Sequence, residues 1–370
     1  MKVAVLTTDY PTEVDQLRGS FARYNAYALT SRHEVTVIHL VPPLFDDGEN
    51  DFLDGDVRVR RYPTALRSLD ELTNAYRIVE SLSLGFDLLH SMTLSSVAIF
   101  GLNVEEELTI SCPWVHSEAW TAAQPSSWPI DAAPPAQIFS RADVVTAANP
   151  GLAAQIEKFR PGQIVPVVPL IVPAPSSLPT RNVIDGRLRL ATAGSIVSAN
   201  QPELIVRTIR DLRKKGVDAT LQWLGDGPFR GRAEARIDEY KLGDFVTLHG
   251  RATQEDFERV YCESDIFLSA SKEAGFFLPC AQAIMCGLPV ILGPSGDSID
   301  YVRPEIAEIV SDKQVAASYV EAVERLVQRT AGMSAQDIVS TIGDQFTSEK
   351  VAQHFEAAYA QALAVGGWAS

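Results

Sequence analysis

The sequence predicts an α/β protein of two domains in tandem, each built on a parallel β-sheet. Three observations lead there. The chain has 370 residues, which is too long for one ordinary core and suits two. Short apolar, β-branched runs alternate with polar loops and amphipathic stretches from end to end. A Pro- and Ser-rich stretch, "PAPSSLPTRNVIDG" (173–186), separates two such series and reads as a linker.

The elements follow in order. "KVAVLTT" (Lys2–Thr8) is short, apolar and β-branched, the pattern of a buried parallel strand. A polar loop with Gly19 precedes a helix over Phe21–Thr30, and "HEVTVIHL" (33–40) is the next strand. "LFDDGENDFLDGD" (44–56) reads as an acidic surface loop. "DLLHSM" (87–92), "CPWVHS" (112–117) and "DVVTAA" (143–148) continue the strands. The second series opens with "RLRLATAG" (187–194). "PELIVRTIRDLRKKG" then forms an amphipathic helix with a basic last turn and a Gly stop. "ATLQWLGDG", "FVTLHG", "DIFLSAS" and "LPVILG" are further strands, and "SEKVAQHFEAAYAQAL" (348–363) has apolar residues at helical spacing. The expected domains are 1–172, with the last helix at about 348–364, and 173–347. They face a cleft, and ligands sit beyond the carboxyl ends of the strands.

Composition narrows the function. Hydrophobic residues make up 46% and charged residues 21%, enough apolar surface for two cores. The net charge of −15 argues against a nucleic-acid partner and against charge-driven docking on anionic lipid. Cys112, Cys262, Cys280 and Cys286 fall in no metal-ligand pattern and read as buried or free thiols of a reducing cytosol. The apolar run before Asp9 is too short for a signal peptide, and no stretch is long enough for a transmembrane helix. A cytoplasmic protein is expected.

Chemistry is sought in the loops after the strands. Gly194, Gly225, Gly227 and Gly250 each follow an apolar strand of the second series. Glycine there permits a sharp turn or close backbone approach, and a following helix N-terminus suits a phosphate. Each alone commonly ends a strand for steric reasons; four in series are more telling. "GDGPFRG" lacks the third glycine of a dinucleotide fingerprint, and there is no P-loop.

In this order the motifs resemble those of family 4 glycosyltransferases, which have the GT-B fold of two Rossmann-like domains. The resemblance rests on "KVAVLTTDYP" with its Gly19 loop, "GSIVSANQPELIVRTIRDL", "LQWLGDGPFRGR", "VTLHGR", "CGLPVI" and "FTSEKVAQHFEAAY". It implies a retaining transfer of a sugar from a nucleotide-diphosphate donor to a hydroxyl acceptor, with no cofactor or metal required. It also implies that the last helix crosses back to the first domain. Gly19, Arg18, Gly194 and the Ser195–Asn200 loop would meet the diphosphate. Gly225 would also lie at the donor, Arg251 would flank the base, and Gln282 would meet the ribose. Glu273, the Phe277–Leu278 backbone and His116 would hold the sugar. Glu118 and Trp120 would lie on the acceptor side.

The sequence departs from the family pattern at the charged positions. Ser195 stands where the family has Arg, Asn200 where it has Lys, and Gln282 where it has the second glutamate. Counting back from "CGLPV" puts Ala274 at the first glutamate; counting forward from the strand puts Glu273 there. Neutral donors replace charge-assisted contacts about twice as strong. Two readings follow. One is a working glycosyltransferase, with a glycan, glycolipid or small molecule as acceptor. The other is a catalytically impaired relative that acts as partner or regulatory subunit of an active glycosyltransferase. Arg18 and Arg251 could replace the lost cations, whereas Arg230 and Arg232 read as surface residues. His116 is expected just past its strand, His90 in packing, His33 and His39 on or beside a strand, His249 buried, and His354 on the last helix.

Overall fold

A computed structural model of the chain describes residues 1–16, 18–93, 110–119, 139–180, 186–272, 277–294, 300–310 and 315–365. The chain divides into two compact units, Met1–Ile171 with Gln345–Ser370, and Val172–Asp344.

Unit 1 opens with β1 (Lys2–Thr7), α1 (Ser20–Thr30) and β2 (Glu34–His39). Five of the six residues of β1 are buried in a row, as expected of a central parallel strand covered on both faces. β1 and β2 pair in parallel from Lys2↔Glu34 to Thr7↔His39. The stretch 44–56, expected as a loop, is more structured than that. It holds β3 (Asp51–Asp54), which runs antiparallel to β4 (Val57–Arg61) around Gly55. Its acidic residues are partners for arginines: Asp51 pairs with Arg58 at 2.8 Å, Asp47 with Arg61 at 2.5 Å and Asp54 with Arg23 at 2.6 Å. Charge on an edge strand also discourages pairing with another chain.

α2 (Leu69–Ser83) starts at a capping box, with Ser68 accepting from the Glu71 N–H and Glu71 reaching back. β5 (Leu88–Met92), β6 (Trp114–Glu118), β7 (Val144–Ala147) and α3 (Pro150–Glu157) follow. The sheet order is β3-β4-β2-β1-β5-β6-β7, parallel except for the β3 edge.

Unit 2 begins with β8 (Arg187–Ala193), α4 (Pro202–Lys214), β9 (Asp218–Leu224), α5 (Arg230–Glu239), β10 (Val246–Gly250) and α6 (Gln254–Cys262). It continues with β11 (Ile266–Leu268), α7 (Leu278–Met285), β12 (Val290–Leu292), β13 (Ala307–Ile309), α8 (Ala316–Thr330) and α9 (Ala335–Ser340). α4 buries Ile205, Val206, Ile209 and Leu212 on one stripe, ends with Arg213 and Lys214, and stops before Gly216. All six strands are parallel, in the order β10-β9-β8-β11-β12-β13.

α10 (Ser348–Val365) belongs to unit 1. Its Phe355 and Tyr359 are buried, and Phe355 sets its ring edge-on to His90 at 4.8 Å. Burying each such aromatic contributes about 1.5–3 kcal/mol, which anchors the helix. Among the described residues no helix is long and apolar enough to cross a membrane.

Candidate functional site

Counted within unit 2, the strand order is 3-2-1-4-5-6, the doubly wound arrangement of dinucleotide-binding sheets. The order reverses between β8 and β11. In such sheets the crevice for a ligand lies beyond the carboxyl ends of those two strands. The residues there are Gly194–Gln201 after β8 and Ser269–Lys272 after β11.

The loop after β8 is held almost wholly by backbone. Gly194 N donates to Leu224 O at 3.0 Å, Ile196 N to Asp226 O at 2.9 Å, and Phe229 N to Ile196 O at 2.9 Å. Lys272 N donates to Ala199 O at 3.0 Å, and the Gln201 side chain to Ala270 O at 2.7 Å. Gln201 sits at φ 48°, a left-handed conformation rare for a side-chain-bearing residue. Ser195 is exposed. Asn200 is half-buried, and its amide Nδ2 donates to Ser195 O at 2.7 Å. That amide therefore closes the loop on itself.

Gly225 explains one of the four strand-end glycines. Its N–H donates to Gly250 O at 2.8 Å, and its φ is 144°. A Cβ on it would stand 2.1 Å from the Gly194 carbonyl oxygen. Glycine is required there by contact between two strand-end loops. Gly19 has a like reason in unit 1: it caps α1, and a Cβ would meet Asp9 O at 2.0 Å.

The later loop places Phe277 at the N-cap of α7 and Leu278 in its first turn. The Phe277 carbonyl accepts from Cys280 N at 3.0 Å and from the Tyr301 hydroxyl at 2.9 Å. Gln282 is buried, and its amide donates to Gln254 Oε1 at 3.4 Å. Arg251 is exposed at the end of β10. His249, expected to be buried, is exposed and contacts Gln222 Oε1 at 3.0 Å. The reason is that β10 is an edge strand with only β9 beside it. Glu273 and Trp120 lie outside the described residues.

In unit 1, Arg18 is engaged by Asp9 at 2.5 Å and lies over the Phe45 ring at 4.2 Å. His116 lies within β6, not past it, and is wholly buried. The strand runs three residues beyond the apolar "WV" because parallel pairing with β7 continues to Glu118↔Ala147. β5 pairs with β6 so that Ser91 is opposite His116. Trp114 Nε1 donates to Ser91 Oγ at 2.7 Å, and Ser91 Oγ is 3.0 Å from His116 Nδ1. The indole can only donate, so Ser91 accepts from it and also hydrogen-bonds His116 Nδ1, which holds the ring between β5 and β6. Among the described residues Nε2 has no hydrogen-bond partner, and it stands 3.8 Å from Glu118 Oε2. A buried polar atom without a partner calls for an explanation.

His90 beside it is already satisfied. Its Nδ1 meets the Tyr359 hydroxyl at 2.7 Å and its Nε2 meets Ser117 Oγ at 2.7 Å. Burial, with His116 adding a smaller effect, pushes its pKa down to about 3. It is therefore neutral and structural. His33 pairs with Glu356 on α10.

Residues 187–329, spanning that sheet from β8 to α8, match the family model described as "Glycosyl transferases group 1". Some solved structures align over nearly the whole length. Sucrose-phosphate synthase from Thermosynechococcus elongatus is 18% identical, with a TM-score of 0.76 over 98% of this chain and 99% of that one. The chain has the GT-B fold. HepE from Anabaena, solved in complex with UDP and glucose, is 13% identical with a TM-score of 0.72, over 97% and 99% of the two chains. Among curated proteins, a match comes from the GtfA subunit of UDP-N-acetylglucosamine–peptide N-acetylglucosaminyltransferase of Streptococcus gordonii. It is 25% identical over 187 residues, 47% of this chain and 35% of the relative. The same subunit of Streptococcus pneumoniae is 22% identical over 176 residues, 45% of this chain and 34% of the relative. The GT-B chain thus spans about a third of the length of the curated relatives it matches.

Sequence reasoning missed Ser91 and Trp114, which hold the ring of His116. No sequence signal marks them, because the cluster is made by register between strands. It also passed over Lys272, whose signal was available: a lone cation directly after strand β11.

Proposed function

We propose that the chain is a retaining glycosyltransferase that moves a sugar from a nucleotide-diphosphate donor to a hydroxyl of a glycan, glycolipid or small molecule. The observation that carries the reading is the coincidence of the switch point of the unit 2 sheet with the loops Gly194–Gln201 and Ser269–Lys272, inside the segment that matches the family. In this reading Ser195 and Asn200 face the diphosphate, Arg251 lies beside the base, Gln282 serves the ribose, and His116 and Glu273 serve the sugar. The bond from the anomeric carbon to the leaving phosphate breaks as the acceptor oxygen bonds to the same face. The acceptor proton passes to the departing diphosphate. No resident metal takes part. Two solved neighbours were captured with UDP, so uridine donors come first in an assay.

A specific observation favours a second reading, in which the chain is an impaired relative serving as partner or regulatory subunit of an active transferase. The Asn200 amide is committed to Ser195 O and the Gln282 amide to Gln254. Two of the three replaced positions thus turn their donors toward the protein. The curated relatives are themselves named as one subunit of a transferase.

Calorimetric titration with UDP, GDP and their sugar conjugates separates the two readings. A ligand at 100 times its Kd adds about 2.7 kcal/mol of stability, so thermal shift reports the same event. Binding of one nucleotide, with donor turnover that falls strongly in His116→Ala, supports the transferase. Silence across the panel sinks it and favours the partner role.

A further inference from the structure

Three of the four cysteines lie in unit 2, and two of them meet. Cys262 is the last residue of α6, and Cys286 follows the end of α7 as its C-cap. The two helices are bonded directly: the Tyr261 hydroxyl donates to Pro279 O at 3.2 Å, and the Gln282 amide to Gln254 Oε1 at 3.4 Å. This packing brings the Cys286 S–H within hydrogen-bonding reach of the Cys262 sulfur. The Cys262 S–H points the other way, to Ser177 O at 3.9 Å. Two thiols thus run in a chain from the interior toward the surface.

The pair is asymmetric. Cys286 is buried, whereas Cys262 is half-buried and lines a surface cavity of about 380 Å³ together with Ser177, Glu255, Glu258 and Arg259. Burial raises the Cys262 thiol above its ordinary pKa; the Cys286 S–H opposes that rise, and Glu258 and Glu263 add to it. Burial raises the Cys286 thiol further, with Cys262 and Glu258 adding to the rise. Cys262 is therefore the thiol that ionises first and that a small molecule can reach, and Cys286 stands behind it. The other two cysteines are placed differently. Cys112 lies in unit 1, Cys280 is wholly buried beside Tyr301, and burial pushes both thiols up to about 12.

We propose that Cys262 and Cys286 form a reversible thiol–disulfide site, oxidised by a small neutral peroxide. The Cys262 thiolate attacks one oxygen of hydrogen peroxide. The O–O bond breaks, hydroxide leaves and takes up a proton, and Cys262 becomes a sulfenic acid. The Cys286 sulfur then gives up its proton and attacks the Cys262 sulfur; the S–O bond breaks, and the oxygen leaves as water. Two thiols and one peroxide become one disulfide and two waters, so two electrons pass from the sulfurs to the peroxide. Glu255 and Glu258 outnumber Arg259 in the lining, which disfavours an anionic oxidant such as oxidised glutathione. The new bond ties the end of α6 to the end of α7 and removes the S–H that Ser177 O accepts. Neither cysteine is among the residues assigned to donor or acceptor, so the site stands under either reading of the function.

The test treats the reduced full chain with hydrogen peroxide, blocks the remaining thiols with N-ethylmaleimide in denaturant, and maps the peptides by mass spectrometry. Wild type should lose two hydrogens as a Cys262–Cys286 cross-link within one chain, and dithiothreitol should restore both thiols. Cys286→Ala should lose the cross-link and leave on Cys262 a sulfenic acid that dimedone captures. Cys262→Ala should lose both products, and Cys112→Ala should keep the cross-link. Oxidation should quicken about tenfold from pH 7 to pH 8, because the thiolate attacks and the Cys262 thiol lies above its ordinary pKa. Oxidised glutathione at equal concentration should act more slowly than the peroxide. The peptide map of wild type decides the pairing even where a variant fails to fold. No cross-link in wild type, a cross-link through Cys280 or Cys112, one formed only between chains, or faster oxidation by glutathione disulfide overturns the proposal.

Discussion

Ser91→Ala tests the reading of His116 at its foundation. Ser91 is wholly buried and serves two groups, accepting from Trp114 Nε1 at 2.7 Å and hydrogen-bonding His116 Nδ1 at 3.0 Å. Alanine removes one oxygen and leaves a buried indole N–H and a buried imidazole nitrogen without partners. Each such loss costs about 1–3 kcal/mol, so the variant should lose about 2–6 kcal/mol of stability. Urea denaturation followed by tryptophan fluorescence measures it. Trp114→Phe made alone and together with Ser91→Ala supplies a double-mutant cycle. Once the hydroxyl is gone, removing the indole N–H should relieve part of the penalty, and the cycle should show coupling of about 1 kcal/mol. In the transferase reading, the single variant also lowers turnover, since His116 loses the contact that holds its ring. A stability cost below about 0.5 kcal/mol, with no coupling, would refute the hydrogen-bond assignment.

Four further outcomes are expected. Gly225→Ala forces a Cβ to 2.1 Å from the Gly194 carbonyl at φ 144°, so it should cost about 3 kcal/mol or more and abolish nucleotide binding if any exists, as denaturation and calorimetry will show. Tyr359→Phe leaves buried His90 Nδ1 without its partner and should cost about 1–3 kcal/mol in urea. Burial, and for His39 the nearby Arg61 as well, pushes the pKa of His39 and His90 down to about 3, below the unfolded value of about 6.5. The unfolded chain then binds more protons between those values, so their contribution is fully present above pH 6.5 and is lost as pH falls toward 3. At pH 5 the loss is about 2 kcal/mol per histidine, and replacing both with Gln should flatten the pH profile. Asn200→Lys exchanges an internal neutral hydrogen bond for a charge-assisted one to phosphate; if the loop faces the diphosphate, UDP affinity should rise about 5- to 30-fold by calorimetry.

Some parts were legible in sequence because they depend on continuous local pattern. Lys2–Thr7 and Arg187–Ala193 are apolar runs that only a buried strand satisfies, and Pro202–Lys214 carries its stripe, its basic last turn and its Gly216 stop. β3 was illegible because "DFLD" has no apolar face. Its stability comes from Arg58 and from the β4 register, which sequence does not display. α2 was passed over although Ser68 and Glu71 spell a capping box. In the site, the positions of Gly194, Gly225 and Gly250 at strand ends were readable, but the cause at Gly225 was a neighbouring carbonyl rather than a ligand. The surroundings of His116 depend on Ser91, 25 residues away and brought beside it by strand pairing. The engagement of Arg18 by Asp9 and of Asn200 by Ser195 depends on rotamers, which no spacing encodes.

The loop Gly194–Gln201 also shows how a GT-B chain can lack cations at 195 and 200 and keep its shape. Of the bonds that hold Gly194–Gln201, those to Leu224, Asp226, Phe229 and Lys272 are made by main-chain atoms. None passes through the side chain at 195, and Asn200 adds one bond that a lysine would not make in the same way. Folding therefore places little demand on charge at either position. Binding demands far more. Two charge-assisted phosphate contacts contribute about 1.5–3 kcal/mol each, and together their loss weakens a donor by about 10²- to 10⁴-fold. Drift at these positions is nearly free for stability and severe for donor affinity. An intact fold thus carries little information on whether the site still works. That information lies in the affinity for the diphosphate itself, and in whether a cation elsewhere on unit 2 has taken over part of its charge.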